Sequence, residues 1–169
     1  STPVIFGDRL YLQTATTGDS ATTQERLVAV DVNTGKVLWE HRRSIYLSDV
    51  PQGRVAWASP AVDRETGTVY MFTVGAELAA YAPDGKVLWE RRDFVCNHFR
   101  GAGSSPTVFG DKLFMSTGYK TGCALYEFTG SELNFAAHLL RHSGERPAII
   151  FCGESGARRE LVTPCPVSR

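Results

Sequence analysis

Residues 27–40 read Leu27-Val28-Ala29-Val30-Asp31-Val32-Asn33-Thr34-Gly35-Lys36-Val37-Leu38-Trp39-Glu40. Residues 78–90 repeat the pattern as Leu78-Ala79-Ala80-Tyr81-Ala82-Pro83-Asp84-Gly85-Lys86-Val87-Leu88-Trp89-Glu90, one residue shorter. Each is an apolar run, a polar turn ending in Gly, and a second run that carries a Trp. β-Branched and aromatic residues on both flanks favour strands. Asn-Thr-Gly and Asp-Gly between them supply residues that tolerate positive φ. Each segment therefore reads as a strand–turn–strand hairpin.

A second hairpin precedes each of these. Pro3-Val4-Ile5-Phe6-Gly7-Asp8-Arg9-Leu10-Tyr11-Leu12 aligns with Pro106-Thr107-Val108-Phe109-Gly110-Asp111-Lys112-Leu113-Phe114-Met115. Pro60-Ala61-Val62 leads to Val69-Tyr70-Met71 through a turn two residues longer. Short strands around a Gly-containing turn are a hairpin signature. Two hairpins per unit give four antiparallel strands. Trp39 and Trp89 are 50 residues apart, and the prolines are 57 and 46 apart. Four strands repeating at about 40–50 residues describe a propeller blade.

The pattern Ala29-x-Asp31-x-x-Thr34-Gly35-Lys36-x-x-Trp39, its echo through Asp84-Gly85-Lys86-Val87-Leu88-Trp89, and the Ser-Pro-x-Val starts at Ser59 and Ser105 resemble pyrroloquinoline-quinone-type (PQQ-like) β-propeller repeats. The resemblance covers roughly residues 2–130. It implies that Trp39 and Trp89 are wedges packed between neighbouring blades, with Gly35, Gly85 and Asp31 shaping the turns that present them. It also implies a periplasmic or cell-envelope location and, as partner, either another protein or neighbouring blades of a longer chain. Many proteins of this kind bind no quinone. Independently of the resemblance, both tryptophans sit in an outer strand, four residues after a turn Gly, so they are expected to play equivalent packing roles.

The expected architecture is all-β: an incomplete β-propeller of four-stranded antiparallel blades with an irregular C-terminal tail. Residues 1–43 form the first blade, 44–57 an inter-blade insertion, 58–92 the second blade, 93–135 a partial third, and 136–169 an irregular or diverged tail. The third unit begins with Cys123-Ala124-Leu125-Tyr126-Glu127-Phe128-Thr129-Gly130, but four residues on stands Asn134 where Trp is expected. Beyond it, Phe135 to Arg141 suggests a short helix, Ala148 to Cys152 a buried strand, and Arg158 to Arg169 a frayed end. Because Ser1 leads directly into strand-like sequence, the chain reads as part of something longer. At 169 residues it holds three or four blades at most, against about 4–8 in closed propellers.

Composition narrows the function. Eighteen Lys+Arg balance eighteen Asp+Glu, so no overall charge draws the chain to nucleic acid. No run approaches the about 20 apolar residues of a membrane-spanning helix. The four cysteines are scattered without a C-x-x-C pair, and small buried thiols are the expectation.

Catalytic motifs fail individually. Gly153-Glu154-Ser155-Gly156 lacks the final Gly of a nucleophile elbow, and all four histidines precede Ser155. Cys96-Asn97-His98 offers two metal ligands where zinc takes about four. Gly101-Ala102-Gly103 is followed by a strand, whereas a phosphate loop needs a helix N-terminus. Arg42-Arg43 and Arg91-Arg92 follow each Trp and read as solvated strand ends.

Quinoprotein dehydrogenases of similar fold would bring PQQ and calcium. They carry an adjacent-cysteine disulfide and a calcium-linked acidic base, and neither is found in this sequence. No catalytic, cofactor-binding or metal residue is therefore assigned, and no cofactor is expected. The sequence-level reading is a non-catalytic scaffold module. A piece of a PQQ-dependent dehydrogenase, with its active site outside these residues, is the alternative.

Overall fold

The computed structural model describes residues 1–16, 23–45, 55–92 and 104–115 in full, and the remaining strand residues between Ser116 and Leu161 as backbone. Their regular structure is entirely β. The first sheet contains β1 (Val4–Phe6), β2 (Arg9–Ala15), β3 (Gln24–Asp31) and β4 (Val37–Ser44), antiparallel and in chain order. The second contains β5 (Ala61–Val62), β6 (Val69–Phe72), β7 (Leu78–Tyr81) and β8 (Val87–Arg91). The third has six strands: β9 (Thr107–Phe109), β10 (Lys112–Ser116), β11 (Cys123–Thr129), β12 (Glu132–Leu140), β13 (Ala148–Cys152) and β14 (Arg158–Leu161).

The hairpins form where the turn residues place them. Gly7 and Gly110 adopt φ of 60° and 56° between two short strands, as two-residue hairpin loops require. Between the third and fourth strands of each unit the irregularity in register is conserved too. A bulge follows Ala29, Ala80 and Leu125 in turn.

Burial follows from stacking. In β2, Tyr11 and Gln13 are buried while their neighbours are half-exposed, the alternation of a sheet covered on one face. In β6 and β7 every residue is buried, because this sheet lies between the other two. Tyr11, Leu27 and Ala29 of the first sheet pack on Val69, Met71, Ala79 and Tyr81. Tyr70, Phe72, Leu78 and Ala80 on the opposite face pack on Leu113 and Met115. The first strands β1, β5 and β9 approach one another and are therefore the innermost strands of three blades in an incomplete propeller.

The C-terminal region departs from expectation. Phe135 to Leu140 is not helical but continues β12, paired with β11 and β13. A seven-residue helix is below the length at which helices nucleate alone, whereas β11 and β13 together offer ladder partners along this segment. Ala148–Cys152 is a strand, as expected. Arg158–Leu161, where fraying was expected, pairs with β13 as the edge strand β14.

Candidate functional site: the interface between the first two blades

The packing surface between blades is where the sequence-marked residues meet. Trp39 pairs with Ala29 across the bulge that ends β3. Its ring stacks 6.0 Å from Tyr81 and lies 5.8 Å from Tyr11 and 5.6 Å from His41. Below it lies Gly85 at φ 92°, where a Cβ would come within 2.9 Å of the indole Cδ2. Only glycine permits both that backbone conformation and that approach.

The Pro83 carbonyl collects two donors from the first blade, Trp39 Nε1 at 2.9 Å and Arg9 Nη1 at 2.5 Å. His41 Nε2 hydrogen-bonds the Gly85 carbonyl at 2.7 Å and its ring lies 4.5 Å from Tyr81. The turn of one blade is thus held by three side chains of the preceding one. Burial pushes the Tyr81 hydroxyl up to about 12, although Arg43 donates to it at 2.9 Å.

Asp31 acts within its own turn. Its Oδ1 accepts from Asn33 N, Thr34 N and Thr34 Oγ1 at 3.0, 2.7 and 2.9 Å. The Thr34 backbone donor, foremost, holds its carboxyl below the usual range. Asp63-Arg64-Glu65-Thr66-Gly67 is a second copy of the same Asp-x-x-Thr-Gly turn, placed between β5 and β6. Asp63 accepts from Glu65 N and from Thr66 in the same way. Gly67 carries Phe6 and Pro83 against its backbone, so this turn also abuts the first blade.

Trp89 pairs with Ala80, lies 5.9 Å from Tyr70 and packs on the cluster shared with the third sheet. Gly35 has φ 69°, with nothing within 4 Å of the place a Cβ would take. In the third sheet, Asn134 pairs with Glu127, whereas Leu125, the counterpart of Ala29 and Ala80, pairs with Ala137. The position of the missing Trp is therefore Ala137. The extra residues lengthen the paired strands β11 and β12 themselves, which a fixed offset from Gly130 ignores.

Three features were not apparent from the sequence. The first corrects the reading of Arg43 as a solvated strand end. Its side chain is only 15% exposed; Nε lies 2.9 Å from Glu77 Oε1, and Nη2 pairs with Glu90 Oε1. Arg42 and Arg92 are the exposed members of their pairs, each beside the glutamate two residues earlier, and Arg92 also beside Glu77. Strand alternation from Trp39 through His41 to Arg43 is the signal that puts this arginine on the interface.

The second is Glu25, 1% exposed. Its Oε1 accepts from Ala56 N at 2.6 Å and its Oε2 from Val74 N at 2.8 Å. Desolvation raises its carboxyl above the usual value, partly opposed by these two donors and by Gln13. Ala56, itself one of these donors, and Ala76, two residues beyond the other, both take left-handed φ near 60°, a costly conformation for a residue with a Cβ. Gln13 Nε2 donates to the Phe72 carbonyl at 2.9 Å, so a polar cluster crosses the interface beyond the aromatic one.

The third is a relay along the inner strands. Thr2 N donates to Ser59 Oγ at 2.7 Å, and Ser59 N to Ser105 Oγ at 2.8 Å. Each residue ahead of the first-strand proline thus donates its N–H to the hydroxyl at the equivalent place in the next blade. The residue before a proline is held extended, which leaves this N–H directed sideways.

A cleft of about 210 Å³ opens between the β5–β6 and β9–β10 turns, bordered by Asp63, Glu65, Thr68, Tyr70 and Asp111. Cofactor sites typically enclose about 300–1,000 Å³. Acidic walls also disfavour PQQ, itself a polycarboxylate, and Asp63 is already committed to its turn. Among the described residues, no group of three or more His, Cys, Asp or Glu is arranged to hold a metal ion. These residues do not fit PQQ and calcium. Cys96-Asn97-His98, Gly101-Ala102-Gly103 and Gly153-Glu154-Ser155-Gly156 lie outside the described residues, as do the cysteine side chains.

Comparison with known proteins accords with this geometry. No curated protein sequence matches the chain. Among solved structures, BamB from Moraxella catarrhalis is 20% identical with a TM-score of 0.58, over 91% of this chain and 45% of that one. Quinohemoprotein alcohol dehydrogenase from Comamonas testosteroni is 20% identical with a TM-score of 0.58, over 80% of this chain and 20% of that one. A europium-containing methanol dehydrogenase is 18% identical with a TM-score of 0.52, over 79% and 24%. The chain spans less than half the length of each. With stacked four-stranded blades, repeated turns and residues 1–133 matching the family described as outer membrane protein assembly factor BamB, the chain belongs to that family of PQQ-type propeller proteins.

Proposed function

We propose that this chain is a non-catalytic PQQ-like propeller module that acts as a protein-binding scaffold in the cell envelope. One observation carries the reading: the two buried carboxyls among the described residues, Glu25 and Asp63, are both engaged by backbone donors that fix turns and blades. Groups held this way stabilise architecture and are not poised for proton transfer. Trp39 and Trp89, with Gly35, Gly85 and Asp31, serve in this reading as the blade-docking set. The partner is another protein or neighbouring blades, and no cofactor is required. Affinity capture with the full-length protein tests it. Recovery of a defined envelope protein supports the scaffold, and turnover of a small substrate without any partner overturns it.

The likeness to two dehydrogenases favours a second reading, a piece of a PQQ-dependent oxidoreductase whose active site lies in other blades. Dye-linked alcohol or sugar oxidation by the full-length protein, with PQQ and calcium added, separates the two. A flat response removes this second reading.

A further inference from the structure

Glu25 ties two separate segments to the first blade, the one that leads into β5 and the turn between β6 and β7. Its Oε1 takes the Ala56 N–H at 2.6 Å, and its Oε2 takes the Val74 N–H at 2.8 Å. Each segment holds an alanine with a left-handed backbone, Ala56 at φ 59° and Ala76 at φ 61°. Such residues persist only where their surroundings over-determine them. At Ala56 the bond to Glu25 supplies that constraint, because the donor is the strained residue's own N–H. The next residue is Trp57, 55% exposed between the buried Ala56 and Ala58.

The same carboxyl has a place to put a proton. Gln13 Nε2 donates to the Phe72 carbonyl at 2.9 Å and lies 3.5 Å from Glu25 Oε1. The Gln13 amide oxygen is buried and has no donor among the described residues. A carboxylate has no hydrogen to give it, whereas a neutral carboxyl has one O–H. An unpaired buried acceptor costs free energy that an O–H···O bond recovers. The surroundings favour the neutral form as well. Burial raises the carboxyl most, Glu77 of the β6–β7 turn adds to it, and the two N–H donors oppose them. Arg43, opposite Glu25 on β4, is engaged by Glu77 and Glu90. Residues 55–58 and 73–76 contribute no ionisable side chain.

We propose that Glu25 is a proton-operated latch on the segment that presents Trp57. The carboxylate holds Ala56 and the β6–β7 turn to the first blade. One proton from solvent binds Oε1, and the new O–H donates to Gln13 Oε1. The Ala56 N–H then faces a neutral hydroxyl oxygen, a weaker acceptor than a carboxylate. Ala56 leaves its left-handed conformation, and Trp57 moves with it. Val74 keeps its bond, because Oε2 remains a carbonyl oxygen. This latch goes beyond the scaffold reading and does not depend on it.

Amide spectra of the isotope-labelled whole chain, recorded from neutral to acid pH, test the latch. The Ala56 and Val74 amide protons should move upfield together, with one midpoint above the ordinary 4.5 of a glutamate. Through that midpoint Ala56 should lose about tenfold in protection from exchange, the worth of one charge-assisted hydrogen bond. Met71 and Ala79, in the core between the blades, should stay protected. The Trp57 indole N–H, identified by its loss in Trp57→Phe, should shift with the same midpoint. Glu25→Gln should abolish these titrations. Gln13→Leu should lower the midpoint, since the 3.5 Å contact from Nε2 does little for the carboxylate and the proton loses its acceptor. Ala56 and Val74 amides that do not titrate, a Trp57 indole that does not follow them, or a loss of protection shared with Met71 and Ala79 would overturn the proposal. So would a higher midpoint in Gln13→Leu, since the amide would then be serving the charged form. The wild-type titration decides the matter even where a variant does not fold. None of these results alters whether the full-length protein turns over a substrate, so the scaffold reading stands or falls separately.

Discussion

Trp39 occupies the space that a side chain at Gly85 would need, since a Cβ there would lie 2.7 Å from the indole Cγ. Gly85→Ala therefore combines a left-handed residue with the displacement of an interfacial ring. It should destabilise the chain by about 3 kcal/mol, against about 1 kcal/mol for Gly35→Ala, which bears the conformational cost alone. Urea unfolding of the two variants in parallel measures the difference. Equal losses would mean that the Trp39 contact adds nothing.

Arg43 joins two carboxylates of the next blade at a largely buried position, whereas Arg42 is mostly exposed. Arg43→Met leaves Glu77 and Glu90 with the exposed Arg92 but without the largely buried cation between them, and should cost about 1–3 kcal/mol. Arg42→Met should cost less than about 0.5 kcal/mol. Thermal melts at low and high salt distinguish these positions, and salt should erode only a small part of the Arg43 effect.

Glu25 gives stability a particular pH dependence. Burial holds its folded-state carboxyl above the ordinary 4.5, so between that value and its raised one the folded state binds more proton than the unfolded state. This contribution is fully present below 4.5 and is lost as pH rises through the raised value. Glu25→Gln should remove that slope. It should also cost about 1–3 kcal/mol near neutrality, because an amide N–H then faces the Ala56 or Val74 donor. Denaturation midpoints across the acid-to-neutral range test both parts, and an unchanged slope in the variant would refute the assignment.

The serine relay predicts a local effect. Ser59→Ala and Ser105→Ala each remove the acceptor for one backbone N–H, at Thr2 and at Ser59 respectively. Each should cost about 0.5–1.5 kcal/mol and speed amide exchange at that one donor. Exchange unchanged at Thr2 in Ser59→Ala would show that the bond does not form in solution.

The strands were legible in the sequence because the hairpin code is local. Gly7, Gly110 and the Asp-Gly and Thr-Gly turns, with alternating apolar residues beside them, define where the chain reverses. What joins one blade to another was less so. Nothing near Arg43 in the sequence identifies Glu77 or Glu90, and nothing near Glu25 identifies Val74, because these partners are brought together only by stacking. The assignment of Asn134 shows the limit of offset counting. Longer paired strands moved the structural equivalent to Ala137, and only strand pairing reveals it. The helix expected from Phe135 onward failed for a related reason, since a neighbouring strand edge outweighs weak local preference.

The Thr2–Ser59–Ser105 relay also gives the array a direction. At both junctions the N–H is offered forward and the hydroxyl backward, so the array has a head and a tail. Ser59 uses both of its groups at once, so a single residue joins the middle blade to its neighbours on either side.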